Sequence, residues 1–146
     1  MSCNVAFIGL GVMGYPMAGY ISKGGHNVTV FNRTKSKAEK WIAEYKGKLA
    51  NTPEEAAKDA EYIFTCVGND NDLREVTFGE NGAFKTIKKG SVYIDNTTAS
   101  AKIAREIYEY AKKNGLVNTK VIWLIHHLRL LKMLILFLRV LGMMMI

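Results

Sequence analysis

A chain of 146 residues, 49% hydrophobic and 23% charged with only two prolines, has the size and composition of one globular domain. That excludes disordered and fibrous classes and leaves no length for a second complete domain. The formal net charge is +7, but sixteen of the twenty basic residues and all thirteen acids lie within residues 1–118, so this body carries +3, too diffuse for the clustered basic face of a nucleic-acid binder.

Strands and helices alternate from the start, the pattern of a mainly parallel sheet covered by helices on both faces. Residues 4–8 form a short apolar run ending in glycine, read as a buried first strand. A helix is expected over about 12–23, stopped by Gly24 and Gly25. Residues 28–31 make strand two. Helix two runs over 35–46, with Ala38, Trp41, Ile42 and Tyr45 on one apolar face. Leu49 and Ala50 mark a third strand. Thr52, Pro53 and Glu55 combine an N-cap, a first-turn proline and a capping-box acid, which predicts a helix over about 53–58. Strand four is expected at 62–67, a short helical turn at 72–76 and strand five at 92–94. Ser100 caps helix five, which ends at Gly115. Cys3 and Cys66 fall in or beside buried strands without metal spacing, so they read as small apolar residues of a reducing compartment and no metal site is expected. The first residues lack a basic segment and an uninterrupted apolar run, so the expected location is cytoplasmic.

After Asn118 the composition turns Leu, Ile and Met rich, with no acid. Residues 121–125 fit a sixth strand. Beyond them, a helix would gather His126, Arg129, Lys132 and Arg139 within about 140° of one another, a basic amphipathic face suited to a membrane surface or a partner helix. No 18-residue uncharged stretch exists in this tail, which disfavours a spanning helix there. The alternative is an out-of-register or truncated end. Both readings divide the chain into a body at 1–118 and an atypical basic tail at 119–146.

Gly9, Gly11 and Gly14 form G-x-G-x-x-G at the junction of strand one and helix one, with Leu10, Val12 and Met13 between them. In that setting Gly9 permits a tight turn, Gly11 a close approach of backbone to a pyrophosphate, and Gly14 close packing of helix on sheet; the helix amino end supplies N–H donors and positive dipole. This is a Rossmann-type dinucleotide site. About twenty residues on, where an NAD enzyme places an acid for the ribose 2′-hydroxyl, the chain has Asn32, Arg33 and Thr34. A permanently charged guanidinium flanked by neutral hydrogen-bonding groups, with no carboxylate to repel a 2′-phosphate, favours NADP over NAD. Two more loops follow strands four and five, at Val67-Gly68-Asn69-Asp70 and Asp95-Asn96-Thr97-Thr98, residue types that ordinary turn chemistry also selects.

The stretch FIGLGVMGYPMAGYISKGGHNVTVFNRT resembles the amino-terminal signature of the β-hydroxyacid dehydrogenases, the group of 3-hydroxyisobutyrate dehydrogenase and the tartronate, glyoxylate and succinic semialdehyde reductases. The likeness extends through Met13, Pro16 and Met17, the NRT after strand two, the strand-four loop and Asp95 to Thr98, covering roughly residues 4–117. It implies that Val67 and Gly68 line the adenosine and nicotinamide-ribose side and that Thr98 contacts the nicotinamide half. It also implies hydride transfer between NADP(H) and a small hydroxy or semialdehyde acid, with a lysine handling the hydroxyl proton.

The family's substrate loop, catalytic lysine and all-helical second domain have no counterpart in the sequence, so no catalytic residue is assigned; His126, His127 and Lys132 are not promoted to one. The expectation is a cofactor-binding half of an NADP-dependent oxidoreductase. A fragment that only binds cofactor and an interaction module docking through the Leu-rich tail are the alternatives. A face that normally packs on a second domain predicts association between copies.

Overall fold

In the computed structural model, which describes residues 2–120, twelve short segments follow one another as strand, helix, strand. They are β1 (Asn4–Ile8), α1 (Gly14–Lys23), β2 (Asn27–Phe31), α2 (Lys35–Tyr45), β3 (Lys48–Leu49), α3 (Pro53–Ala57), β4 (Tyr62–Thr65), α4 (Asp70–Phe78), a 3-10 turn (Ala83–Lys85), β5 (Val92–Asp95), α5 (Ala101–Asn114) and β6 (Val117–Lys120). All six strands run parallel in the order β3-β2-β1-β4-β5-β6. This is the doubly wound Rossmann arrangement.

The two-residue period of β1 sorts its side chains between two cores. Val5 and Phe7 face α1 and α2, where they pack with Ala18, Ile21, Ala38 and Trp41. Ala6 and Ile8 face the other side, with Ile63 and Tyr93 of the sheet, Leu73 and Val76 of α4, and Ile103 and Ile107 of α5. Because both faces are covered, β1 reads as one apolar run rather than an alternation. Pairing of Val5 with Val28 on one side and Tyr62 on the other sets the register that brings the loops after β1, β2 and β4 to one edge.

Local signals act where the sequence places them, with some shifts. Thr52 accepts the Glu55 N–H at 3.0 Å, and the Glu55 carboxylate accepts the Asn51 N–H at 2.7 Å, one residue before the cap. Ser100 caps α5, and Gly115 closes it in the left-handed conformation at φ +67°. Helix α1 begins at Gly14 rather than Val12, because Val12 and Met13 form the turn that delivers Gly14 onto the Gly9 carbonyl. The turn expected at 72–76 is the longer helix α4: Asn69 accepts the N–H groups of Asn71 and Asp72 and so starts it at Asp70. Strand β6 begins at Val117, directly after buried Leu116; the strand expected at 121–125 and the tail beyond it lie outside the described residues.

Candidate functional site

Between β1 and β4 the strand order changes direction, and at such a switch point the loops leaving the carboxyl ends of the strands form the crevice in which open α/β sheets bind ligands. The first wall is the turn from Gly9 to Gly14. Gly9 sits at φ +99°, and a Cβ there would lie 2.2 Å from the Cys66 carbonyl oxygen, so both conformation and space demand glycine. A Cβ on Gly14 would lie 2.0 Å from the Gly9 carbonyl oxygen, which makes this the point where α1 touches the end of β1. Gly11 differs: a Cβ there would meet nothing within 4 Å.

The side chains of this turn divide by direction. Val12 is 93% exposed and Met13 61%, both beside the crevice mouth, whereas Leu10 is buried in the core under α1 and α2. Helix α1 has no side-chain cap and no acid in its first turn. Tyr15 and Met17 donate their N–H groups to the Gly11 and Met13 carbonyls and Pro16 has none, so what this helix start offers an anion is its positive dipole end, with no acid to oppose it.

The second wall is the loop after β2. Asn32 spends its side chain on the loops themselves: its Oδ1 accepts the Leu10 N–H at 2.8 Å and its Nδ2 donates to the Thr34 carbonyl at 2.9 Å. The glycine turn and the β2 loop are thereby tied into one unit. Arg33 is 78% exposed, and its Nη1 pairs with Asp72 Oδ1 at 2.9 Å. The sequence places no acid at the end of β2, yet the fold brings one there from α4. Thr34 opens α2 in an extended conformation without a side-chain cap bond.

The third wall comes from the loops after β4 and β5. Val67 donates its N–H to Thr97 Oγ1 at 3.1 Å, and the Thr97 N–H donates to Asp95 Oδ1 at 2.9 Å. Thr65 Oγ1 donates to the same carboxylate oxygen at 3.0 Å, which leaves the Tyr93 hydroxyl, 2.8 Å from Thr65 Oγ1, as the donor in that contact. Burial first and the Asp95 charge second push the Tyr93 phenol well above its ordinary range, so it stays a donor. Burial and Asp95 likewise push the Cys66 thiol up, which keeps it protonated and unsuited to nucleophilic chemistry. Gly68 and Thr98 are exposed at the ends of these loops. A cleft of about 400 Å³ opens beside Thr98, lined by Asn69, Asp70, Asn71, Thr98, Ala99 and Ser100; the Asp70 carboxylate holds both the N–H and the hydroxyl of Ser100.

The structure thus brings Gly9, Gly11, Val12, Met13, Gly14, Arg33, Thr34, Val67, Gly68 and Thr98 to one edge of the sheet, while Leu10 contributes core packing and Asn32 a loop tether. Three positions escaped sequence reasoning: Asp72, which meets Arg33; Thr97, which holds Val67; and Asn69, read as turn chemistry but acting as a helix cap. Only Asn69 carried a local signal, a cap residue four positions before buried Leu73. Among the described residues no helix is long and apolar enough to cross a membrane.

Residues 4–120 match the family of the NAD binding domain of 6-phosphogluconate dehydrogenase. An uncharacterized oxidoreductase of Shewanella frigidimarina is 57% identical over 107 residues, covering 73% of this chain and 37% of that protein. The 3-hydroxyisobutyrate dehydrogenase of Mycobacterium tuberculosis, solved with L-serine, superposes with a TM-score of 0.73 at 25% identity, over 82% of this chain and 40% of that one. An imine reductase of Myxococcus stipitatus in complex with NADP+ gives 0.71 at 26% identity, over 80% and 39%. The chain therefore spans about two fifths of the length of the relatives it matches.

Proposed function

The chain belongs to the family of the NAD binding domain of 6-phosphogluconate dehydrogenase, the cofactor-binding part of β-hydroxyacid dehydrogenase-type oxidoreductases, and from that premise we propose that its site takes NADP in preference to NAD. The observation that carries the preference is Arg33, at the end of β2 and beside the glycine turn to which Asn32 ties its loop. Open space at Gly11 and the uncapped start of α1 fit a pyrophosphate pressed against backbone. Arg33 offers a planar set of donors to a 2′-phosphate, a charge-assisted contact about twice as strong as a neutral one. Thr34 adds a neutral hydroxyl.

On the opposite wall, Val67 and Gly68 line the adenosine and nicotinamide-ribose side and Thr98 contacts the nicotinamide half, with Thr97 and Asp95 fixing the loop that presents Thr98. When bound, the nicotinamide supplies the hydride. Together with the remaining three fifths of a full-length relative, this half serves hydride exchange with a small 3-hydroxy acid or semialdehyde acid. The residues described here bind and orient the cofactor; the group that moves the substrate proton belongs to the part outside this chain's match.

Arg33→Ala, titrated with NADPH and NADH by nicotinamide fluorescence, tests the preference. Loss of a charged hydrogen bond predicts NADPH binding weakened by about tenfold or more, with NADH within about twofold. Equal losses for both cofactors, or none for NADPH, overturn the reading.

A further inference from the structure

The Arg33 guanidinium that the preceding reading assigns to a 2′-phosphate already has an anionic partner from a different element. Asp72 lies 39 positions further along the chain, in the first turn of α4, and its Oδ1 stands 2.9 Å from Arg33 Nη1. The carboxylate is only 22% exposed, and besides Arg33 it is held by Asn69. Its Oδ2 accepts Asn69 Nδ2 at 3.1 Å, while the backbone N–H of Asp72 donates to Asn69 Oδ1 at 3.0 Å. Gly68 is part of the same arrangement: a Cβ there would stand 3.0 Å from Asp72 Oδ2, so a side chain at this position would crowd the carboxylate. Arg33, by contrast, is 78% exposed on a long stem and free to swing. The pair therefore joins a fixed anion to a movable cation across the crevice.

We propose that Asp72 is a specificity-determining residue, setting cofactor choice by competing with the 2′-phosphate for Arg33. This rests on the reading of Arg33 as the 2′-phosphate ligand. To engage that phosphate the guanidinium must share or leave a carboxylate that Asn69 keeps in place, whereas a cofactor with a free 2′-hydroxyl makes no such demand. A phosphate monoester, carrying roughly −1.5 to −2 charges, wins over one carboxylate, but at reduced net affinity. Asp72 thus narrows the gap between NADP and NAD that Arg33 opens.

The test is a double-mutant cycle on the full 146-residue chain, read as dissociation constants for NADPH and NADH, with Glu75→Gln as a control that removes a carboxylate elsewhere on α4. An exposed ion pair limits the gain, so Asp72→Asn is expected to tighten NADPH binding about threefold to fivefold and leave NADH within about twofold. In the Arg33→Ala background the same substitution is expected to change NADPH binding less than about twofold. Unchanged or weaker NADPH binding by Asp72→Asn, equal tightening of NADH, or the same gain from Glu75→Gln or in the absence of Arg33 overturns the proposal. Should Arg33→Ala itself fail to discriminate the cofactors, the assignment of Arg33 falls and this proposal with it. A selective Arg33→Ala with a silent Asp72→Asn overturns the competition alone.

Discussion

The Leu10 N–H, in the middle of the glycine turn, donates to the side-chain oxygen of Asn32 at 2.8 Å, a bond across 22 positions that ties the loops after β1 and β2 together. Asn32→Ala leaves that partly buried N–H without its acceptor. Such an orphan costs about 1–3 kcal/mol, so thermal unfolding should shift down by several degrees and NADPH binding should weaken with it. Asn32→Asp keeps an acceptor and adds a charge where NAD sites carry an acid, so it should swing preference toward NADH. A melting curve for Asn32→Ala that overlays the wild type would show the tether to be dispensable.

Gly9 and Gly11 separate folding from binding. At Gly9 a side chain meets both a φ of +99° and the Cys66 carbonyl at 2.2 Å. Gly9→Ala is expected to destabilise the fold by at least about 2 kcal/mol. Gly11→Ala adds a methyl to open space and should melt close to wild type while NADPH binding falls about tenfold. Calorimetric melting beside fluorescence titration of both variants checks the split; a destabilised Gly11→Ala that binds normally would reverse it.

How much of this was legible in the sequence follows the range of the interactions involved. The Thr52 and Ser100 caps and the Gly115 stop are local, set by neighbours within four positions, and they, the glycine turn and the strand and helix alternation appear where their residues predicted. The pairs that shape the site are not local. Val67 meets Thr97 across 30 positions because β4 pairs with β5, and Arg33 meets Asp72 across 39 because β1 lies between β2 and β4. Absence of a carboxylate at the end of β2 was read correctly from the chain and still misjudged the electrostatics, since α4 supplies one.

His26 gives the fold a pH dependence. It is 8% exposed, its Nδ1 accepts the Cys3 N–H at 3.2 Å, and its Nε2 has no partner among the described residues. Burial, and secondarily the amino terminus, lowers its pKa from the ordinary 6.5. Below that value the unfolded chain takes up a proton that the folded chain resists, so stability is complete above about pH 6.5 and falls as pH drops through it. His26→Asn retains an acceptor and removes the titration. Wild type should lose more melting temperature than His26→Asn between pH 7.5 and 5.5, and parallel losses would assign the dependence elsewhere.

Thr52 offers an independent check on local structure. Thr52→Ala removes the acceptor of the Glu55 N–H and should cost about 1 kcal/mol, a few degrees of melting temperature, without altering cofactor affinity. Weakened NADPH binding in this variant would mean that α3 supports the site, contrary to its place on the far side of the sheet from α1.

The measurement that reaches the central claim most directly is titration of the unmodified chain with NADPH and, separately, NADH, followed by nicotinamide fluorescence at low salt. The expected result is saturable binding of one equivalent of each, with NADPH bound more tightly and its advantage shrinking as salt screens Arg33. Absence of saturation with either nucleotide, or tighter binding of NADH, would contradict it.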